Sequence, residues 1–258
     1  MTEDLVKAEI HAGFAHLELN RPAKRNALNM EMLTQLVDRL DEYASNPVVR
    51  AIVITGNERG FAAGADIGTL GSANPIELFN SGFSEKWDQV ANNPKPLIAG
   101  ISSYALGGGL ELALTCDIVI ADRTAIFGLP EASIGVIPGA GGTQRLVRMV
   151  GKSMAMEMIL AGRKLNAREA RECGLVSTLV GEDETVAGRA FAIAAEIAKG
   201  APLAVCFAKA AVLQSFETTL SAGIRYERTL SALIAASEDR AEGMTAFAEK
   251  RSAQFTGR

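Results

Sequence analysis

The sequence predicts an α/β fold in which the last quarter of the chain is helical. Three apolar, β-compatible runs indicate the sheet: Ala51–Thr55, Leu97–Ile101 and Asp117–Ala121. Each run is followed by a loop that contains glycine, which is the rhythm of strands that alternate with helices in a covered sheet. After Gly151 the chain becomes rich in alanine and typical of helices. We therefore expect a mixed α/β core followed by helices.

The chain is predicted to begin with a β-hairpin and a helix. Leu5–Ile10 and Phe14–Leu19 are short, partly alternating runs joined by Ala12-Gly13, which favours a hairpin. The Arg21-Pro22 pair ends the second strand. Asn29 precedes a run in which apolar residues recur at helical spacing, so we expect it to cap the first helix.

Helix signals continue into the C-terminal part of the chain. Pro202 suits the first turn of a helix, and Ser237, which two acidic residues follow, suits the N-cap of the last helix. The stretch Gly68–Ala91 is the least regular. Its aromatic residues recur at helical spacing and are expected to lie in the core: Phe79, Phe83 and Trp87. A boundary near Gly200 divides the chain into an expected core, residues 1–200, and a helical region, residues 201–258.

Composition and charge exclude several classes of protein. The net charge is −4 without a block of Lys or Arg, so we expect no nucleic-acid partner. Uncharged apolar runs are too short to span a bilayer, so we expect no membrane partner. The three cysteines lie far apart without a C-x-x-C pair, which argues against a disulfide framework or a zinc site and favours a reducing compartment. The N-terminus lacks a signal-peptide pattern, and we expect a cytoplasmic protein.

Two glutamates in glycine-rich surroundings are the main candidates for catalysis. Glu111 follows Gly107–Gly109 in the first turn of an expected helix, Leu110–Thr115, and Glu131 follows Pro130 in an expected loop. Carboxylates beside free backbone N–H groups suit acid/base chemistry on a substrate whose developing negative charge the N–H groups hold. Taken alone, Glu111 could instead complement a helix dipole, and Glu131 could be an ordinary surface carboxylate.

Other segments are open to two interpretations. Phe61–Asp66 could present a backbone N–H group to a ligand, or it could form a strand-to-helix turn with Asp66 near a cap. Gly139–Thr143 lacks the pattern of a nucleotide-binding loop and could be a tight turn before a helix. His11 and His16 have no ligand-like spacing, so we expect structural or surface roles for both.

Taken together, these segments resemble the enoyl-CoA hydratase/isomerase (crotonase) family. The similarity runs in order over nearly the whole chain, through residues 20–29, 61–67, 104–113, 116–117, 127–145 and 238–251. Two positions depart from the usual pattern, since Ser103 stands where glycine is usual and Leu110 where cysteine is frequent. The resemblance implies an α/β fold with a crotonase-like spiral of repeated ββα units and a C-terminal helical trimerisation region.

The resemblance also implies an acyl-CoA thioester substrate and the residues that handle it. The N–H groups of Ala65 and Gly108 would grip the thioester carbonyl, and Glu111 and Glu131 would carry the acid/base chemistry. The residues expected to contact CoA or the reacting water are Arg25, Ala27, Ala63, Asp66, Ile67, Gly139 and Lys250. Of these, Lys250 would reach the CoA of a neighbouring subunit. No metal or redox cofactor is implied, because CoA is part of the substrate.

Glutamates at both positions favour hydration within this family. Water would add across the 2,3 double bond of trans-2-enoyl-CoA to give 3-hydroxyacyl-CoA. The chain is most similar to bacterial enoyl-CoA hydratases of fatty acid β-oxidation or of phenylacetate-type catabolism, which would imply a dehydroadipyl-CoA-like substrate. A homotrimer or a dimer of trimers is implied. Two alternatives stay open: an isomerase that moves the double bond, and a non-catalytic relative that binds acyl-CoA or RNA.

Overall fold

The computed structural model describes residues 4–66, 68, 74, 76, 77 and 80–258. These residues contain nine strands: β1 Val6–Ile10, β2 Phe14–Leu19, β3 Ala51–Thr55, β4 Leu97–Ile101, β5 Tyr104–Leu106, β6 Ile118–Ala121, β7 Ile126–Gly128, β8 Leu165–Asn166 and β9 Thr178–Leu179. The same residues contain ten α-helices: α1 Met30–Ser45, α2 Phe83–Ala91, α3 Gly108–Thr115, α4 Gly142–Val150, α5 Lys152–Leu160, α6 Ala167–Glu172, α7 Val186–Ala198, α8 Pro202–Gln214, α9 Leu220–Ile234 and α10 Glu238–Glu249. The described part also contains two 3-10 helices, Pro22–Lys24 and Glu131–Ile134.

The strands form a large sheet and a small sheet. The large sheet has six strands in the order β1-β2-β3-β4-β6-β9, and the small sheet has three in the order β5-β7-β8. The predicted hairpin is confirmed, because β1 pairs antiparallel with β2, from Val6 opposite Leu19 to Ile10 opposite Ala15. From β2 to β9 the large sheet is parallel. The predicted strands at residues 51–55 and 97–101 are also confirmed, and the third begins at Ile118, one residue later than expected.

The chain passes from the large sheet to the small one in repeated units. β4 lies in the large sheet and β5 in the small sheet, and α3 follows. β6 and β7 repeat this arrangement, with α4 as the next α-helix. Because β4 pairs with β6 and β5 with β7, both in parallel, the two units stack on one another. This stacking is the repeated ββα arrangement that the family resemblance implies.

Helices cover both faces of the large sheet. On one face, Ala15 and Leu17 of β2 join a core that includes Leu33 and Leu36 of α1. On the other face, Phe14 joins a second core, which α7 closes with three small or branched side chains: Val186, Ala190 and Ala194. Alternate residues of a strand point to opposite faces, so β2 contributes to both cores. Each fully buried Leu contributes about 1.5–3 kcal/mol, which makes these cores the main stabilising element.

The predicted helix ends are mostly confirmed. The side chains of Asn29 and Ser237 accept hydrogen bonds from the N–H groups of Met32 and Arg240, at 2.9 and 3.1 Å, and so cap α1 and α10. Pro202 opens α8 in the first turn. Two helix predictions were wrong in detail. α3 begins at residue 108 rather than 110, and residue 131 opens a 3-10 helix rather than lying in a loop.

The aromatic stripe in the irregular stretch lies partly in the core. Trp87 is buried, and Phe83 packs against it edge-on with 6.1 Å between ring centroids. The third aromatic residue of the stripe, Phe79, lies outside the described residues.

Ser103 adopts a left-handed conformation just before β5. Its φ is 64°, and its N–H donates to Oγ1 of Thr124 at 2.9 Å. A residue with a Cβ pays about 1–2 kcal/mol in this region, which explains why glycine is the usual residue at this turn in the family that the sequence resembles. The turn is therefore kept despite the serine.

Helices α8 and α9 contribute no buried residue in the part of the chain that the structure describes. Large apolar side chains on the C-terminal helices and the turns between them are instead exposed: Val212, Leu213, Phe216, Leu220, Ile224, Tyr226, Leu233, Met244 and Phe247. Within the described residues, no single helix has both the length and the hydropathy to cross a bilayer. α7 and α8 reach that length only together, across a bend of 112°.

Candidate active site

Glu111 is buried in the first turn of α3 and is held by two backbone donors. Its neighbours in sequence, Leu110 and Leu112, are fully buried, and only 4% of Glu111 is exposed. Its Oε1 atom accepts hydrogen bonds from the N–H groups of Ala140 and Gly142, each at 2.8 Å. These donors lie at the start of α4, so the contact of α3 with α4 fixes the carboxylate. Glu111 is therefore not a surface residue that only complements the dipole of α3.

The surroundings of Glu111 act on its pKa in opposite directions. Burial raises the pKa because the charged form loses its hydration. The N–H groups of Gly142 and Ala140 and the nearby charge of Arg145 favour the carboxylate and offset part of that rise. Arg145 also donates from Nη1 to the carbonyl oxygen of Ala140 at 2.9 Å, which braces the loop that holds Glu111.

Glu131 is half-buried and lies against the glycine turn that precedes α3. A Cβ on Gly107 would come within 2.9 Å of Oε1 of Glu131, and Gly107 has φ 51°, so only glycine suits this position. Oε2 of Glu131 is buried without a hydrogen-bond partner among the described residues. Burial, with a smaller contribution from the charge of Glu111, raises the pKa of Glu131 to about 7. The group is therefore suited to carry a proton near neutral pH.

Because of Glu131, the stability of the protein should depend on pH. Between the ordinary carboxyl pKa of 4.5 and about 7, the folded protein keeps a proton that the unfolded chain has lost. The unfolded state then binds fewer protons, so stability falls as pH rises through this window. We expect Glu131→Gln to gain stability relative to wild type as pH rises, measured as the free energy of urea unfolding. The exposed Glu217→Gln is the control, and an equal pH-dependent gain in it would contradict the prediction.

Two backbone N–H groups, those of Ala65 and Gly108, lie beside one another. A Cβ built on Gly108 would be 3.1 Å from the backbone nitrogen of Ala65. Ala65 is held in place by a parallel bridge to Leu28, whose N–H donates to the carbonyl of Gly64 at 2.8 Å. Neither N–H group of the pair has an acceptor among the residues that the structure describes. Two adjacent free donors are the arrangement that stabilises an oxyanion.

Four of the predicted CoA-contacting residues form one strip beside this pair of donors: Arg25, Ala27, Ala63 and Asp66. The N–H of Ala63 donates to the carbonyl of Arg25 at 3.1 Å. Nη1 of Arg21 donates to the carbonyl of Ala27 at 3.0 Å and to Oδ2 of Asp66 at 2.7 Å. The hydrogen bond from Arg21 holds the pKa of Asp66 below its ordinary value. The Asp66 carboxylate therefore braces the strip from within the protein.

Comparison with known proteins decides the family. Residues 9–258 match the family model described as enoyl-CoA hydratase/isomerase. The chain belongs to the enoyl-CoA hydratase/isomerase family. It is 48% identical to the 2,3-dehydroadipyl-CoA hydratase of Escherichia coli K12, with 94% of each chain covered. It is 44% identical to a probable enoyl-CoA hydratase of Rhizobium meliloti over the whole of both chains.

Solved structures agree with this assignment. The crystal structure of enoyl-CoA hydratase from Bacillus anthracis matches with a TM-score of 0.93 and 34% identity, covering 98% of this chain and 100% of that one. The predicted family and its crotonase-like α/β fold are thus confirmed. Family membership implies enzymatic chemistry on an acyl-CoA substrate.

In this member of the enoyl-CoA hydratase/isomerase family, a fully buried asparagine that no sequence motif singled out organises the site. Oδ1 of Asn26 accepts from the N–H of Arg21 at 2.8 Å and from Nδ2 of Asn57 at 3.0 Å. Nδ2 of Asn26 donates to the carbonyls of Gly60 and Phe61 at 2.9 and 3.0 Å. Asn26 therefore ties the loop after β2 to the segment that carries Ala65. The only sequence feature that could have pointed to Asn26 is its position within residues 20–29, one of the segments that resemble the family.

Three other site predictions have different outcomes. Gly139 is exposed and directly precedes Ala140, whose N–H binds Glu111. Lys250 is exposed at the end of α10, in a left-handed conformation, and no described contact joins it to the site within the protomer. Its proposed contact with a neighbouring subunit stays a prediction. Ile67 lies outside the described residues.

Proposed function

We propose that this protein is an enoyl-CoA hydratase, which adds water to trans-2-enoyl-CoA and forms 3-hydroxyacyl-CoA. One observation carries the proposal: the start of α3 brings two carboxylates and two free N–H groups to one place. Gly107 lies beside Glu131, Gly108 lies beside Ala65, and Glu111 follows one turn later. Acid, base and oxyanion donors are the parts that addition of water to an activated double bond requires.

The oxyanion donors activate the substrate. The N–H groups of Ala65 and Gly108 bind the thioester carbonyl oxygen and draw electron density from the double bond, which makes Cβ electrophilic. As water adds to Cβ, the electron pair moves to the carbonyl oxygen and forms an enolate. Removal of one such donor typically costs about 2.7–4 kcal/mol of transition-state stabilisation.

The two glutamates move the protons. We assign Glu111 as the base, because two backbone donors and the charge of Arg145 favour its carboxylate form. We assign Glu131 as the acid, because its pKa is raised to about 7 and its Oε2 atom has no donor in the described structure. Glu111 takes a proton from water while hydroxide adds to Cβ, and Glu131 gives a proton to Cα. The negative charge passes from Glu111 to Glu131, and the pair titrates as one coupled unit.

The reaction sets few other requirements. Water, the two carboxylates and the backbone donors supply every proton and charge, so we propose that no metal or redox cofactor takes part. We also propose a cytoplasmic location, which the free thiols of all three cysteines support.

For the substrate we propose a 2,3-unsaturated acyl-CoA, with 2,3-dehydroadipyl-CoA as a specific candidate. The identity of 48% to the Escherichia coli 2,3-dehydroadipyl-CoA hydratase supports a dicarboxylate substrate. Relatives described only as probable enoyl-CoA hydratases, at 43–44% identity, support the general enoyl-CoA hydratase reaction nearly as well. A comparison of kcat/KM for crotonyl-CoA and 2,3-dehydroadipyl-CoA decides between them.

The deciding experiment for the reaction is turnover of crotonyl-CoA in ¹⁸O-labelled water, with mass spectrometry of the product. We expect the product to gain water with the label on C3. Binding of acyl-CoA without gain of water would contradict the hydratase proposal. Conversion of 3-enoyl-CoA to 2-enoyl-CoA would then identify the isomerase, and its absence would favour a non-catalytic acyl-CoA- or RNA-binding relative.

We propose that the helical region assembles the protein into a trimer or a dimer of trimers. Leu220 and Phe247 are 80% and 86% exposed, and other apolar side chains of α8 to α10 are exposed as well. Such patches are costly to leave in water and mark an interface. Sedimentation velocity of the full chain is expected to give a trimer-based species, and a stable, active monomer would contradict this prediction.

A further inference from the structure

The chain has only two histidines, and the fold brings both to one face of the β1-β2 hairpin. Glu9 of β1 lies directly opposite His16 of β2 in the antiparallel register. His11 follows Glu9 by two residues and therefore continues on the same side of the pleat. In sequence these residues are separated by intervals that match no ligand motif. The hairpin register alone makes them neighbours.

We propose that Glu9, His11 and His16 form a binding site for a divalent transition-metal ion such as Zn²⁺. One potential ligand atom of each residue lies within 4.8 Å of the corresponding atoms of the other two. Oε2 of Glu9 is 3.7 Å from Nε2 of His11. The Glu9 side chain is 70% exposed, so it can swing inward to reach the shorter spacing that a bound ion requires.

Of the three residues, His11 has a buried ring nitrogen to which a ligand could bind. Its Nε2 atom is buried and has no hydrogen-bond partner among the described residues. Its ring stacks on Phe14 with 4.8 Å between centroids and packs against Phe191 of α7 at 5.0 Å. A buried ring nitrogen without a partner costs free energy, and a metal ion would satisfy it.

The ring of His16 is held in place by two contacts. Its Nε2 atom lies 2.8 Å from Oγ1 of Thr55, and Phe191 packs edge-on against its ring at 4.9 Å. The contact with Thr55 holds the ring of His16 in place and leaves Nδ1 as the ring nitrogen that can bind the ion.

The donor set selects the class of ion. Imidazole nitrogen with one carboxylate suits Zn²⁺, Co²⁺, Ni²⁺ and Cu²⁺, whereas Mg²⁺ and Ca²⁺ prefer oxygen ligands alone. Three protein ligands leave a position open for water or another small ligand. The sequence prediction of no zinc site was drawn from the cysteines, which take no part here.

The proposed metal site is separate from the glutamate pair. His16 shares a face of the large sheet with Phe14, whose core is closed by α7. Leu110 and Leu112 of α3, beside Glu111, pack in the core on the opposite face. Bound metal is therefore expected to stabilise the hairpin against α7 without entering the proposed hydration.

Isothermal titration of the chelator-treated full chain with ZnCl₂ tests the site. We expect one Zn²⁺ per chain at this site and a rise in the unfolding midpoint with added Zn²⁺. His11→Gln, His16→Gln and Glu9→Gln should each weaken binding by about 10-fold or more. Glu9 is exposed, so its variant tests the ligand set without risk to folding.

Matched variants exclude other sources of binding. Glu18→Gln changes another glutamate of the hairpin and should leave the affinity unchanged, since Glu18 is paired with Lys7 at 2.9 Å. A titration in a Cys173→Ser, Cys206→Ser background removes the partly exposed thiols and should give the same result. Equal Zn²⁺ binding by wild type and a His11→Gln, His16→Gln double variant would overturn the proposal. Loss of Zn²⁺ binding in the Cys173→Ser, Cys206→Ser background would overturn it as well. Crotonyl-CoA turnover should be the same in all these variants, so failure of the hydratase proposal would be seen separately.

Discussion

Glu111→Gln is expected to lower kcat by about 10²- to 10⁴-fold, the range typical of a lost general acid or base. The amide cannot take a proton from water, yet its oxygen can still accept the hydrogen bonds from Ala140 and Gly142, which are 2.8 Å long in wild type. The fold should therefore persist, and acyl-CoA affinity should change little. Steady-state kinetics with crotonyl-CoA, together with a binding measurement on a non-reactive acyl-CoA, separates the two effects.

The matched control for Glu111 is Glu31→Gln. Glu31 also lies in the first turn of a helix, α1, but its side chain is exposed. It should retain wild-type turnover, because a first-turn glutamate acts there only on the helix dipole. Normal turnover of Glu111→Gln would contradict the acid/base assignment, and loss of acyl-CoA binding in parallel with turnover would indicate a structural role instead.

Gly108→Pro is expected to lower kcat by at least about 10²-fold, because proline has no N–H to donate to the oxyanion. Gly108 is the first residue of α3, a position at which helices tolerate proline. The loss should appear in turnover more than in the affinity for a saturated acyl-CoA, since the oxyanion charge develops only in the transition state. Kinetics and thermal unfolding of the same sample measure both properties.

Gly108→Ala is the control for this prediction. It adds a Cβ that would lie 3.1 Å from the nitrogen of Ala65, yet it keeps the N–H group. A small shift can relieve that contact, so we expect a much smaller loss of turnover than with proline. Equal losses in both variants would assign the effect to steric displacement of Ala65, and normal activity of Gly108→Pro would refute the oxyanion role.

The sequence predicted local elements well wherever the signal was local. The β1-β2 hairpin, strands β3 and β4, and the caps at Asn29 and Ser237 were all found as expected. Periodicity and capping act between residues close in the chain, so they can be read without a fold. The start of α3 was misplaced because Gly108 and Gly109 have low helix propensity, and the packing of the helix overrides it.

Residues of the candidate site were suggested by family segments, but their interactions required the structure. Nothing in the sequence shows that Ala140 and Gly142 donate to Glu111, which lies 29 and 31 residues earlier. The same holds for Asn26, whose buried amide joins Arg21 to Gly60 across two loops. Such hydrogen bonds form only where two loops come into contact. Those contacts are set by the packing of α3 on α4 and by the arrangement of the two sheets.

By itself, the sequence determined the α/β class, the order of most elements, the family and the two glutamates of interest. Only the tertiary structure decided that Glu111 is buried and doubly hydrogen-bonded, that Ala65 and Gly108 lie together, and that His11 and His16 share one face. The physical reason is that side-chain periodicity is local, whereas burial, pKa and ligand geometry depend on groups brought together from distant parts of the chain.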